Sequence, residues 1–596
     1  MLLGKVTNKY YLKYALFFLT GVVALVLVDY FQLYIPEFLG DMVSLLDSGK
    51  EVTLNDVLYI VKGLVVVALV MFTGRIVWRF AILNASQRIE ANIRHEMFLK
   101  AERLSQRYYH ENKVGTIMAW FSTDLETIEE FLGWGSIMMV DAIFLSIMAI
   151  TKMVTLDWVL SIIAFLPMLL IIVLGAMFEK QMGERWEHRQ KEFDRLYDFS
   201  QENFTGIRVI KAFVKEMQEI HAFHKVAKEN QKANLDFVRV HIFFEVLISL
   251  VITIIIAIIM GVGGYFVYAS VNGTPVVILG HEIILEAGKL VTFIGYFDTL
   301  VWPMMAIGQL VSMHSRSKTS LKRVERFLDE EEEIQNVENA HIFDEVKGKI
   351  TFKNFNFMYP DARHAALHDI SLEIHAGEMI GVVGKIGSGK TTLVNTLLRL
   401  YNVDKGTLFI DDVDIMDIHL HNLREHVSYV PQDNFLFSDS VKNNIAFSNR
   451  HQSFANIQNA AKFADVDDNI VNFTSGYDTI TGERGVTLSG GQKQRISIAR
   501  AYIKDAPIMI MDDSVSAVDV KTEENILNNI REKRKGKTTI VIASRVSTVS
   551  DLDRILVLNE GRVEAFDTHE NLMNISPTYQ KMVYLQELER EVSSDV

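Results

Sequence analysis

Cysteine is absent from all 596 residues, which excludes disulfides, thiolate metal sites and cysteine nucleophiles. A strongly basic domain is absent too. The formal net charge is −14, so no electrostatic footprint for nucleic acid exists and none is expected as a partner. The N-terminal stretch MLLGKVTNKYYLKYALFF lacks a small-residue cleavage site after its apolar run. That run is expected to be a retained span and not a signal peptide. A single core is excluded by length alone. Apolar residues, by contrast, are plentiful: 49% of the chain is hydrophobic while 22% is charged, the mixture expected of a membrane part fused to a soluble part.

Six apolar segments are long enough to cross a bilayer, which takes about 20 helical residues. They run over Tyr14–Ile35, Val57–Phe80, Gly133–Val154, Trp158–Met177, Ile242–Ala269 and Leu290–Ser312, the third and fourth joined by a tight turn around Thr155–Asp157. The long connections, between spans two and three and between four and five, read as helical and carry Arg88, Arg94, Arg103, Arg185, Arg189 and Arg208 among other cations. The short connections hold Asp41, Asp47, Glu51, Asp56, Glu282 and Glu286 instead. Positive charge marks the cytoplasmic side, so the helical extensions and both termini are expected there.

Ionisable residues within spans are costly and mark either helix pairing or function. Asp141 lies nearest the middle of a span, with Asp29, Lys62, Arg75, Glu245 and Asp298 nearer ends or on half-polar faces. Pro303 is expected to kink the sixth helix. The charged helical stretch Ser315 to Asn339, with its acidic run DEEEE, reads as a linker with a solvated face.

From Lys349 onward short strands alternate with helices. VVGKIGSGKTT, Val382 to Thr392, matches G-x-x-x-x-G-K-[ST] between an apolar strand (Met379 to Val383) and a helix (Thr392 to Leu400). Gly384, Gly387, Ser388, Gly389, Lys390, Thr391 and Thr392 therefore form the candidate phosphate loop. Its N–H groups and the helix's positive end face a nucleotide's phosphates, Lys390 reaches the outer ones, and the Thr391 hydroxyl ligates Mg²⁺. Upstream, ITFKNFNFMYP reads as an amphipathic strand ending at Tyr359, an aromatic placed to stack on adenine. Gln432 follows the strand of VSYVPQDNFLF and can contact Mg²⁺ or water. Ser489, Gly490, Gly491 and Gln492 open the helix of LSGGQKQRISIARA with bare N–H groups suited to a second face of a nucleotide. Ile508 to Met511 is a buried strand delivering Asp512 as a Mg²⁺ ligand.

Together these stretches resemble the ATP-binding cassette. Walker A, Q-loop, LSGGQ signature, Walker B and a D-loop (Ser516 to Asp519) occur in family order, and GERG (Gly482 to Gly485) resembles the X-loop of exporters. The six spans and ENFTGIRVIKAF (Glu202 to Phe213) extend the resemblance to an ABC exporter half-transporter over nearly the whole chain. It implies an α-helical membrane domain over residues 1–320, a linker over 321–348, and over 349–596 an α/β P-loop nucleotide-binding domain with an antiparallel β subdomain and a helical subdomain. It also implies two paired chains in the cytoplasmic membrane, each ATP held between one chain's Walker motifs and the other's signature, with Asp519 contributing from the D-loop. Closure of that sandwich would drive the spans through coupling helices near the ends of the extensions. The implied activity is ATP-driven export of amphipathic small molecules, with ATP and Mg²⁺ required. A lipid or peptide exporter and an ATP-binding regulatory or sensor subunit stay open as alternatives. No peptidase-like extension precedes span one, which weighs against a bacteriocin-processing variant, and the six spans exclude a soluble ATPase module.

Two departures stand out against the family pattern. The catalytic base directly after the Walker B Asp is a Glu in the family and Asp513 here, one methylene shorter; misplacement by about 1 Å can cost about 100-fold in rate. The switch strand usually reads A-H-R and here reads IASRVSTV, so Ser544 replaces the His that contacts the γ-phosphate. Serine has no cationic form and is too short for that reach. The expectation is a weakly hydrolytic site on this chain and a homologous partner half-transporter that carries the catalytic Glu, in a heterodimer of multidrug type.

Overall fold

The computed structural model describes residues 4–594 apart from 48–51, 279–280, 361, 483–484 and 486. Its contacts divide the chain into two units: residues up to Lys100 with Val114–Glu330, and Ala101–Lys113 with residues from Glu331 onward.

Long apolar runs satisfy their backbone hydrogen bonds within a bilayer by coiling into helices, and the first unit consists almost entirely of them. Five stretches of the described residues are long and apolar enough to cross a membrane: Ala15–Asp47, Leu54–Arg103, Val114–Leu156, Glu216–Val271 and Ala287–Leu328. The remaining expected span opens the helix Trp158–Thr205, whose apolar start is Trp158–Met168. Asp157 makes the turn between spans three and four, capping the new helix by accepting from the Leu160 N–H at 2.7 Å. Both long connections are helical, and each includes a short helix, Gln106–Glu111 and Ile207–Ala212.

Three expectations need correction. The first span does not end its helical run at Ile35: helix Tyr34–Asp47 follows directly, because Gly40 and Gly288 let it lie against Ala287–Leu328 and Thr292 Oγ1 donates to the Pro36 carbonyl at 3.2 Å. The sixth-span helix runs on through Pro303 but stops at Leu328, and the acidic run beyond it is irregular, since like charges three and four residues apart, as in Asp329 to Glu333, disfavour a helix. Nor is that run simply solvated: Glu333 accepts from Ser105 Oγ at 2.7 Å and pairs with Arg107 at 3.0 Å. The third span contains three five-residue π turns, Trp120–Asp124, Phe131–Gly135 and Asp141–Leu145.

The second unit is built on two sheets. The larger has the order Arg562–Asp567, Arg554–Asn559, Met379–Gly384, Thr538–Ile542, Ile508–Asp512, Val427–Val430, parallel except at its first edge. Its strands alternate their residues between two cores. Ile508, Ile510, Ile540, Ile542, Ile380 and Val382 enter one, and Met509, Met511, Val541, Met379 and Val383 the other. Both faces are thus buried, as the unbroken apolar strands require. The smaller sheet is antiparallel, ordered Leu367–Ile374, Ile350–Phe357, Leu408–Ile410, Val413–Asp414. A helical region, including Val441–Ile445, Phe454–Phe463 and Gly490–Ile503, packs on the second core.

Candidate nucleotide-binding site

Three neighbouring parallel strands deliver the site. Met379–Gly384 enters the phosphate loop, and Thr538–Ile542 separates it from Ile508–Asp512. Ile542 stands opposite Val382 on one side and Asp512 on the other. The strands' carboxyl ends therefore finish at one level, where open α/β sheets present their ligand sites.

The phosphate loop curls as its glycines demand. Gly389 precedes the helix Lys390–Leu397 with φ +97°, and a Cβ there would sit 2.6 Å from Leu367 Cδ2 and 3.0 Å from the Ala366 carbonyl. Only glycine suits both the dihedral and the space. Gly384 and Gly387 complete the curl, and Ser388 is buried with its hydroxyl unpartnered among the described residues. Lys390 Nζ donates to the carbonyls of Gly384 at 2.8 Å and Lys385 at 3.0 Å. Tyr359 lies just beyond its strand, which ends at Phe357. The Tyr359 hydroxyl donates to Thr392 Oγ1 at 3.1 Å, and its ring meets Phe357 and Tyr401 edge-on at 5.0 and 5.1 Å. That contact fastens the aromatic to the rim of the phosphate loop.

Asp512 is 2% exposed, and its Oδ2 has no partner among the described residues. Burial pushes its carboxyl above the usual carboxylate range; the Thr391 hydroxyl and Lys390 pull the other way, and Asp513 adds to the rise. Lys390 in turn is drawn down by burial against the pull of Asp512 and Asp513. An orphaned buried carboxylate beside a threonine hydroxyl is an oxygen pair of the kind hard divalent cations take, so the residues present fit Mg²⁺. Gln432 emerges past Val430, which pairs with Met511. It is exposed, and its side chain makes no hydrogen bond among the described residues.

Asp513 sits at φ +46°, a left-handed conformation that Asp tolerates better than most non-glycine residues. Its N–H donates to the Ile542 carbonyl at 3.0 Å, which ties it to the switch strand. Ser544 Oγ donates to Asp513 Oδ1 at 3.3 Å. The two residues that depart from the family pattern therefore touch each other.

Ser489 caps the helix Gly490–Ile503 in a reciprocal box: its hydroxyl accepts from the Gln492 N–H at 3.3 Å, and Gln492 Oε1 accepts from the Ser489 N–H at 3.0 Å. The Gln492 side chain is thus engaged in capping, while the Gly490 and Gly491 N–H groups have no intrahelical acceptor. A Cβ on Gly491 would approach the Ala517 carbonyl to 3.0 Å. Asp519 caps the helix Val520–Lys533 by accepting from the Thr522 N–H at 3.0 Å. Of the GERG stretch, Glu483 and Arg484 lie outside the described residues.

Two glutamines were not singled out by sequence. Gln494 is 2% exposed; its Nε2 donates to the Asp513 carbonyl at 3.1 Å and its Oε1 accepts from the Ala517 N–H at 3.1 Å. It holds the signature helix to the turn after Walker B. Gln586, on the C-terminal helix Pro577–Ser594, accepts from the Val546 N–H at 2.8 Å and donates to the Ser544 carbonyl at 3.2 Å, gripping the switch loop from both sides. No spacing or composition rule marks a single helical glutamine; only its two backbone partners do.

Comparison with known proteins places this geometry. Residues 17–304 match the family described as ABC transporter transmembrane region, and residues 367–516 the family described as ABC transporter. The chain is similar to the probable multidrug resistance ABC transporter ATP-binding/permease protein YheI of Bacillus subtilis (strain 168), 31% identical over 587 residues, covering 98% of this chain and 97% of the relative. It is also similar to the multidrug resistance-like ATP-binding protein MdlA of Escherichia coli (strain K12), 31% identical over 573 residues, covering 96% and 94%. The fold matches that of a bacterial Atm1-family ABC exporter solved with ATP bound, at a TM-score of 0.77 and 24% identity, over 97% of this chain and 99% of that one. A membrane domain and an ATP-binding domain on one polypeptide, with these relatives over nearly the full length, establish that the chain belongs to the ABC transporter family as an exporter half-transporter, an ATPase coupled to transport.

Proposed function

We propose that this chain is one half of a heterodimeric exporter of amphipathic small molecules in the cytoplasmic membrane, and that its own Walker site holds Mg·ATP but hydrolyses it slowly. The contact between Asp513 and Ser544 carries the reading. A carboxylate one methylene short of the family's base is drawn toward a hydroxyl that has replaced the family's histidine, and neither group supplies the reach or the cationic form that positioning an attacking water needs. In this reading Lys390 and the N–H groups of Gly384 to Thr392 hold the phosphates, Tyr359 faces the adenine, and Thr391, Asp512 and Gln432 are the ligands for Mg²⁺. Ser489, Gly490, Gly491 and Gln492 serve the opposite nucleotide, with Asp519 beside them. The partner subunit brings its own Glu and His to the competent site. Residues 1–320 form the membrane domain, 321–348 the linker and 349–596 the cassette, with both termini in the cytoplasm. The multidrug names of the relatives support the substrate class.

The test is turnover by the purified chain alone and with a co-expressed homologue. The lone chain is expected to bind ATP yet turn it over on the order of 100-fold slower than the pair, with Asp513→Asn changing little and the double change Asp513→Glu with Ser544→His restoring activity. Brisk hydrolysis by the lone chain that Asp513→Asn abolishes refutes the reading.

A further inference from the structure

The periphery of the membrane unit carries a groove between helix Ala15–Gln32 and helix Leu54–Arg103. It holds about 390 Å³ and is walled by Leu16, Phe17 and Thr20 from the first helix and by Ile76, Val77 and Phe80 from the second. Leu16 and Phe80 are 74% and 71% exposed, so the other spans of this chain leave it uncovered. The Thr20 hydroxyl is spent on the Leu16 carbonyl, to which it donates at 2.8 Å. What the groove offers is therefore hydrocarbon, with no free polar group by which a protein segment would be recognised.

Positive charge gathers at one end. The Arg88 guanidinium lies 5.4 Å from the centre of the Phe17 ring, itself part of the wall, and Lys13 Nζ lies 5.4 Å from the centre of the Tyr14 ring. Asn92 Nδ2 donates to the Tyr14 hydroxyl at 2.9 Å, which ties the start of the first span to the second helix beside Arg88. Both cations are exposed and neither has a carboxylate partner among the described residues. The flanking glutamates are already engaged, Glu90 with Arg94 and Glu96 with Lys9. Ring faces hold the two cations without neutralising them. From Ile76 to Arg88 the helix runs about 18 Å, close to the ~15 Å hydrocarbon depth of one leaflet. A free anion would meet the cations and leave the groove empty; an acyl chain that carries a phosphate fills both.

We propose that this groove, with Arg88 and Lys13 at its mouth, binds an anionic phospholipid of the cytoplasmic leaflet, one acyl chain between the two helices and the phosphate against the two cations. The choice of leaflet rests on the reading that places both termini in the cytoplasm.

Native mass spectrometry of the full chain in detergent, titrated with phosphatidylglycerol or phosphatidylcholine of identical acyl chains, tests it. The wild type is expected to prefer phosphatidylglycerol about 25-fold, about fivefold for each cation. Arg88→Gln and Lys13→Gln should each cut the preference about fivefold and together erase it. Arg79→Gln, which removes an exposed cation of the same helix that lies over the Trp78 ring, should keep it. Val77→Trp, which fills the groove from an exposed position, should weaken both lipids about tenfold with ATP affinity unchanged. Equal binding of the two lipids by the wild type overturns the inference, as does a preference that survives the double variant or that Arg79→Gln removes equally. Displacement of phosphatidylglycerol by equimolar glycerol 3-phosphate would leave an anion site without a lipid and overturn it too. These measurements are blind to orientation, so their failure counts against the site alone. Lys13→Cys, in a chain otherwise free of cysteine, reads the leaflet: labelling by an impermeant maleimide in inverted vesicles and not in intact cells is expected, and the reverse overturns the topology and the leaflet with it.

Discussion

Asp513 shows how one residue can carry several constraints at once. Its backbone is left-handed, its carbonyl accepts from Gln494 and Ser516, and its carboxylate accepts from Ser544. Gln494 bears most of the load on that turn, since its amide answers a carbonyl and an N–H on either side of it. Gln494→Leu keeps the side-chain volume and orphans both groups. The expected cost is about 1–3 kcal/mol, read by calorimetry as a lower thermal midpoint of the nucleotide-binding unit, together with weaker ATP binding. An unchanged midpoint would mean that the bridge is dispensable. Ser544 and Asp513 were legible in the sequence as departures from a pattern. Their hydrogen bond was not, because it joins residues 31 positions apart that only the strand order makes neighbours.

Elements tell a similar story with better odds for the sequence. The strand before the phosphate loop, the Walker B strand and the signature helix fall where apolar runs and a Ser-led helix start place them, because each is decided by local periodicity and capping. Gly389→Ala tests the loop's geometry: the new methyl meets Leu367 and the Ala366 carbonyl at a dihedral that disfavours it. A destabilisation of about 1–3 kcal/mol and loss of fluorescent ATP-analogue binding are expected; retained affinity would contradict the assignment. At the other end of the same strand, Glu378 Oε2 accepts from Arg554 Nη2 at 2.7 Å and from the His375 N–H at 2.8 Å. Burial alone would raise the Glu378 carboxyl, but Arg554 and the His375 N–H outweigh it and hold it below the usual range. A depressed carboxylate contributes stability above its unfolded value, about 4.3, and that contribution is lost as pH falls through the lower folded value. Glu378→Gln should therefore flatten the acid limb of the unfolding profile below about pH 4.3, which acid titration followed by circular dichroism checks; an unaltered limb would deny the pair its role. Sequence periodicity missed helix Tyr34–Asp47, which small-residue contact with Ala287–Leu328 sustains, and no spacing rule announced the π turns.

On the scale of the molecule, the segment Ala101–Lys113 belongs to the nucleotide-binding unit although residues on both sides of it belong to the membrane unit. Glu333 secures it through Ser105 and Arg107, so the short helix Gln106–Glu111 is fastened by polar contacts to the acidic run that follows the sixth-span helix. Glu333→Ala is expected to leave unstimulated ATP hydrolysis by the assembled exporter unchanged and to cut substrate stimulation about two- to fivefold, the scale of one partly exposed ion pair. Parallel ATPase and vesicle-transport assays decide it, and equal loss in both would assign Glu333 to folding instead.

Apolar period, helix starts and glycine spacing are properties of short stretches, so the sequence by itself determined the long membrane helices, the alternating strands and helices, and the order of the nucleotide-binding motifs. Tertiary structure alone decided which of those residues meet. Asp513 with Ser544, Gln494 with Ala517, Glu333 with Arg107 and Asp141 with Trp302 are joined across 23 to 226 positions. Such meetings depend on strand order and helix packing, which arise from burial summed over whole cores and leave no local trace in the chain.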